Sequence, residues 1–114
     1  MADCLFCGIA AGEIPSTEVA STDVVYAFRD LNPMAPTHVL VIPREHIVDA
    51  TELAAHHGEM LVELFDVARK VAHADGLEER GFRLVLNIGP DSGNTVPHLH
   101  LHVLGGRQLA WPPG

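Results

Sequence analysis

Hydrophobic positions follow two rhythms along this chain, one near every second residue and one near every third or fourth. The helical rhythm is longest from about Asp49 to Asp75, where Leu53, Met60, Leu61, Leu64, Val67, Ala68 and Val71 recur on one face. Asp49 is placed to cap its start, with Glu52 three residues on, and Gly76 to end it. A shorter helix is predicted over Cys4–Ala11, stopped by Gly12 with Pro15 just beyond. Strands are predicted over Glu18–Ala20, Val24–Phe28 and His38–Ile42. Ser21-Thr22-Asp23 turn the first strand into the second, and Pro43 closes the third. Asp30–Pro36, with two prolines, reads as a shaped loop. After the long helix, Phe82–Asn87 is a strand, Gly89–Thr95 a loop, and Val96–Gly106 the last strand. Strand and helix do not alternate, so the expected fold is α+β: one domain over residues 1–114 with a mainly antiparallel five-stranded sheet.

The last strand departs from what packing alone requires. His98, His100 and His102 occupy every second position, with Leu99, Leu101 and Val103 between them. Alternate residues of a strand share a face. The apolar face has a core to join, and folding leaves the histidine face unexplained. Imidazole is suited to proton transfer, nucleophilic attack and metal ligation near neutral pH. Three in a row point to an active site.

Composition narrows the possibilities. A chain of 114 residues, almost half apolar, suits one globular core, and no stretch is long and apolar enough for a membrane span. Met1-Ala-Asp-Cys4 lacks the basic and apolar regions of a secretion signal, so a cytoplasmic location is expected. The net charge of −8 argues against nucleic acid as a partner. A small phosphate remains admissible, because a local ring of histidines and backbone N–H groups outweighs a distant negative surface. Gly89, Gly93, Asn94 and Thr95, just before the histidines, form a loop able to turn its N–H groups toward one anion. Cys4 and Cys7, a Cys-x-x-Cys pair, read as metal-binding, redox-active or simply buried. His56, His57 and His73 belong to no constellation; His56 and His73 are expected at the surface and His57 at the helix boundary.

Together these segments resemble the histidine triad (HIT) family of nucleotide-binding proteins. Its signature, three histidines alternating with apolar residues, stands as His98-Leu-His-Leu-His-Val-Leu104. Cys4-Leu-Phe-Cys7, Gly12-Glu-Ile-Pro15, Ala35-Pro-Thr-His38, Val41-Ile-Pro43, His46, Asn87, the Gly-rich loop and Gly105-Gly-Arg107 extend the match over nearly the whole chain. The ending Trp111-Pro-Pro-Gly114 resembles the phosphoramidase branch.

The resemblance implies hydrolysis of purine nucleoside 5′-phosphoramidates to nucleoside monophosphate and an amine. His100 would be the nucleophile, forming a nucleotidyl-imidazole intermediate. His102 would contact the phosphate and pass a proton to the departing amine, with His38 beside it. Gly93, Asn94 and Thr95 would hold phosphate oxygens, with Thr95 standing where many relatives have Ser. The nucleoside would lie among Phe28, Arg29, Asp30, Leu31 and Asn87, with Ile9 and Ile14 as base-slot walls. Relatives that carry the cysteine pair imply a structural zinc on Cys4, Cys7, His46 and His98. The resembled phosphoramidase branch implies a homodimer whose residues 105–114 form a tail, bringing Trp111 toward the partner's site. The competing reading is a regulatory module that binds purine nucleotides without turning them over. The triad is a poor ligand set for a single metal, since alternate side chains on a flat strand stand about 7 Å apart.

Overall fold

A computed structural model describes residues 4–114, so Met1-Ala-Asp3, on which the expectation of no secretion signal partly rests, lies outside the described residues. The elements are α1 (Leu5–Ala10), β1 (Glu18–Ser21), β2 (Val25–Arg29), β3 (Thr37–Pro43), α2 (Gly58–Ala74), β4 (Phe82–Leu86) and β5 (Leu101–Gly105). The strands form one antiparallel sheet in the order β1-β2-β3-β5-β4. The α+β expectation holds. Among the described residues no helix is long and apolar enough to cross a membrane.

The period of two divides the sheet into two working faces. Val25, Ala27, Val39, Val41, Leu101 and Val103 point to the face covered by α2, where they meet Leu64, Val67, Ala68, Val71 and Ala72. Tyr26, Phe28, Leu40 and Ile42 point the other way, under α1, and pack with Phe6, Ile9 and Ala10. Every residue of β3 is buried, because this central strand is covered on both faces. The histidines lie on the α1 face, and α2 serves as the support behind them.

Two expectations are corrected. The long helix begins at Gly58 rather than near Asp49; two short 3₁₀ turns, Ala50–Glu52 and Ala55–His57, precede it. Side chains satisfy the backbone locally there: Asp49 accepts from the Thr51 amide, Glu52 from Val48 and His57 from Ala54. Such bonds compete with helix propagation. Leu53 still packs on the core, so the apolar rhythm survives without continuous helix. Second, the last strand begins at Leu101, so His98 and His100 precede it. Its partner β3 ends at Pro43, which has no amide to continue the ladder. The Pro43 carbonyl accepts instead from His98 Nε2 at 2.9 Å, and the Leu99 amide donates to Ile47 O. Gly76 does end α2, at φ +72°.

Candidate active site and metal cluster

On the α1 face a cleft of about 390 Å³ opens between α1, the end of β2 and the loop before β5. Phe6, Ile9, Ile14 and Phe28 form its apolar wall. Asp30, Asn87, Gly93, Asn94, Thr95, His100 and His102 supply the polar one. An apolar slot with a few convergent polar groups is the usual form of a small-molecule site. Leu31, 90% exposed, stands at the rim. Arg29 borders the cleft, but its guanidinium turns away to a two-pronged ion pair with Asp75 at 2.7 and 3.1 Å. Thr37 Oγ1 donates to the same carboxylate, whose pKa is held down chiefly by the Arg29 hydrogen bond. His38 lies behind His102, outside the cleft lining. Trp111, 81% exposed, does not line the cleft of its own protomer.

The hydrogen bonds assign the protons on the rings. A carbonyl only accepts, so His100 Nδ1, 2.7 Å from His98 O, carries the proton and leaves Nε2 with a bare lone pair. A backbone amide only donates. The Met34 amide, 3.0 Å from His38 Nδ1, therefore makes that atom the acceptor and puts the His38 proton on Nε2. His38 Nε2 then donates to His102 Nδ1 at 2.9 Å, and His102 holds its own proton on Nε2. That Nε2 is buried and, among the described residues, has no hydrogen-bond partner. A buried unpaired N–H costs about 1–3 kcal/mol, a debt that a phosphate oxygen or leaving atom would cancel.

Electrostatics agree with neutral rings. Burial, then the neighbouring His100 and His38, push the His102 pKa down to about 4. Burial also lowers His38, partly offset by Asp30, whose Oδ2 lies 3.4 Å from His38 Nε2. Neutral imidazoles are what nucleophilic attack and directed donation require.

Beside the cleft, Cys4, Cys7, His46 and His98 bring four ligand atoms within 4.8 Å of one another. Sγ to Nδ1 distances are 3.2 Å for Cys4–His98, 3.3 Å for Cys7–His46 and 3.5 Å for Cys7–His98. The edges of a tetrahedron with metal–ligand bonds near 2.0–2.3 Å measure about 3.5 Å, so the set fits zinc. Cys4 caps α1 by accepting from the Cys7 amide, which places both thiols on one side of the helix start. His98 donates from Nε2 to Pro43 O, leaving Nδ1 bare toward the sulfurs, and burial holds its pKa down. This geometry favours ligation among the three readings open for the cysteines.

Sequence reasoning missed Phe6, Met34 and Arg107. The Phe6 ring meets that of His100 edge-on, centroids 5.1 Å apart. Its only signal was an aromatic between the two cysteines. Met34 acts through its backbone, which no side-chain pattern reveals.

A family model described as the HIT domain matches residues 11–109. A 14 kDa zinc-binding protein from Zea mays is 46% identical over 112 residues, covering 96% of this chain and 87% of its own. The purine nucleoside phosphoramidase of Escherichia coli (strain K12) is 43% identical over 105 residues, covering 92% and 88%. The crystal structure of a HIT family hydrolase from Legionella pneumophila Philadelphia 1 superposes with a TM-score of 0.96 at 49% identity, covering 98% of this chain and 100% of that one. With His100 and His102 lining the cleft and matches of this extent, the chain belongs to the HIT domain family.

Proposed function

We propose that the protein is a nucleotide hydrolase that cleaves purine nucleoside 5′-phosphoramidates through a nucleotidyl-histidine at His100. One observation carries the reading: the hydrogen bond to His98 O commits the His100 proton to Nδ1 and leaves the Nε2 lone pair for the α-phosphorus. The nucleoside lies between Ile9, Ile14 and Phe28, with Asp30 and Asn87 toward the ribose, and Gly93, Asn94 and Thr95 line the phosphate end. His100 Nε2 forms a bond to phosphorus as the phosphorus–nitrogen bond breaks, and the electron pair leaves with the nitrogen. The nitrogen must depart protonated: one proton is taken up from solvent and delivered by way of His102, which is neutral before and after. The proton taken up in this step is returned when water adds to phosphorus and frees His100. Splitting the displacement in two avoids one difficult step. The relatives' names, phosphoramidase and hydrolase, support this chemistry.

Zinc on Cys4, Cys7, His46 and His98 belongs to the same proposal, supported by the fit of the cluster and the zinc-binding relative. Four protein ligands close its coordination sphere, so such a zinc is structural. A homodimer also belongs to it. β4 is an edge strand, and its Phe82 and Leu84 remain partly exposed.

The deciding assay uses an adenosine phosphoramidate carrying a fluorescent amine. Amine release by the wild type, lost in His100→Ala while AMP binding survives, is expected. Binding without release in the wild type would overturn the hydrolase and leave the regulatory module.

A further inference from the structure

Beyond the cleft, the chain after β5 is folded back onto the loop before β3. A Cβ on Gly105 would lie 2.7 Å from Leu77 Cδ1. Gly106 adopts φ +93°, and a Cβ there would lie 2.8 Å from the Pro36 side chain. The position of Gly106, with its positive φ and its approach to the Pro36 ring, needs glycine, and that close approach sets the next residue against the 30–36 loop. Arg107 closes the contact. Its Nε and Nη2 both donate to the carbonyl of Met34, at 3.1 and 2.8 Å, and its Nη1 donates to Gln108 O at 3.0 Å. The Met34 side chain is 65% exposed, so burial of that side chain does not hold this residue in place.

The same Met34 gives its amide to His38 Nδ1, and His38 Nε2 faces His102 Nδ1. We propose that Arg107 is a positioning residue: by gripping the Met34 carbonyl it holds the Met34 amide on His38 and so fixes His102, whose ring lines the cleft, in the tautomer that carries its proton on Nε2. The inference rests on the hydrolase reading for its catalytic consequence, and on the hydrogen-bond chain alone for the tautomer.

The alternative arrangement explains why a clamp matters. Without the Met34 amide, His38 is free to carry its proton on Nδ1 and leave Nε2 bare. His102 Nδ1 then has to donate to His38, and His102 Nε2 becomes an acceptor. One proton shift two residues away thus converts the group facing the phosphate from a donor into a lone pair that repels it. Asp30, with Oδ2 3.4 Å from His38 Nε2, favours the proton on that nitrogen but leaves Nδ1 unsatisfied. The backbone amide is the contact that specifies Nδ1 as acceptor. A guanidinium suits the clamp because its rigid fork gives two bonds to one oxygen, where an ammonium offers a single flexible contact.

The test compares Arg107→Met and Arg107→Lys with the wild type. Imidazole nitrogen spectra of the whole protein above neutral pH read the tautomers directly. The wild type is expected to show protonated Nε2 and bare Nδ1 for both His38 and His102. Arg107→Met is expected to mix the two tautomers, and Arg107→Lys to fall between. Turnover of the phosphoramidate should drop about tenfold in Arg107→Met, a fraction of the 10²–10⁴-fold that a positioned proton donor supplies. Rescue by lysine should track the recovered tautomer. Spectra that leave His102 in a single tautomer in Arg107→Met overturn the clamp. Mixed tautomers support it even in an assay that detects no amine release, so the clamp and the hydrolase reading fail separately.

Discussion

His100 Nδ1 donates to the carbonyl of His98 at 2.7 Å, so the residue whose ring faces two cysteines also aims the ring that lines the cleft. His98 is itself fixed at both nitrogens, by Pro43 O and by the sulfurs. The cysteine–histidine cluster and His100, the proposed nucleophile, are thus joined through one peptide unit. A change in either would be felt by the other without any contact between metal and substrate.

Metal removal tests that link. The purified protein should contain about one zinc per chain by elemental analysis. A ligand held at a thousand times its dissociation constant contributes about 4 kcal/mol, so chelation should lower the unfolding midpoint by a corresponding amount. Turnover should fall more than AMP affinity, because His100 loses its aim and the cleft keeps its walls. Protein free of metal with full activity and stability would refute the site.

The support behind the histidines is tested at Leu64, fully buried where α2 meets the sheet. Leu64→Ala should cost about 2–5 kcal/mol in denaturant unfolding. The folded fraction should retain normal AMP binding, since Leu64 touches the opposite face from the cleft.

Stability should decline in mild acid. Burial holds the folded His102 pKa down at about 4, against 6.5 for an ordinary histidine, so between these values the unfolded chain binds more protons. Its contribution is intact above pH 6.5 and is lost as pH falls toward 4, about 3 kcal/mol in all. His38 is displaced in the same direction and adds with the same sign. Asp75 acts lower: its depressed pKa stabilises the fold above the ordinary carboxylate range and is lost as pH falls through the folded value. Unfolding midpoints against pH should show both declines, with His102→Gln flattening the upper one.

Arg29 separates two roles. Its guanidinium on Asp75 ties β2 to the end of α2, so Arg29→Ala should destabilise by about 1–3 kcal/mol. If its role is that tie, KM for the phosphoramidate should stay within about threefold, as expected when no uniform binding contact is removed. A large rise in KM would return Arg29 to the nucleotide site.

Self-association should be visible by sedimentation, and Leu84→Asp on the exposed side of β4 should shift the protein toward monomer. An unchanged sedimentation coefficient would remove β4 from the interface.

Much of this molecule was written in its residue order. Alternation along the last strand assigned Leu101 and Val103 to the core face and His102 to the other, because a strand's period is fixed by its backbone. The family pattern from Cys4 to Arg107 marked the segments around the cleft. The start of α2 was not legible, since apolar spacing records which residues face the core and not whether the backbone between them is helical. Tertiary structure alone decided that Arg29 turns to Asp75, that Pro43 ends the ladder beneath His98, and that the Met34 amide meets His38 while Arg107 meets the Met34 carbonyl. Those outcomes depend on backbone carbonyls and amides, which every residue carries alike. Only folding determines which of them a given ring or guanidinium meets.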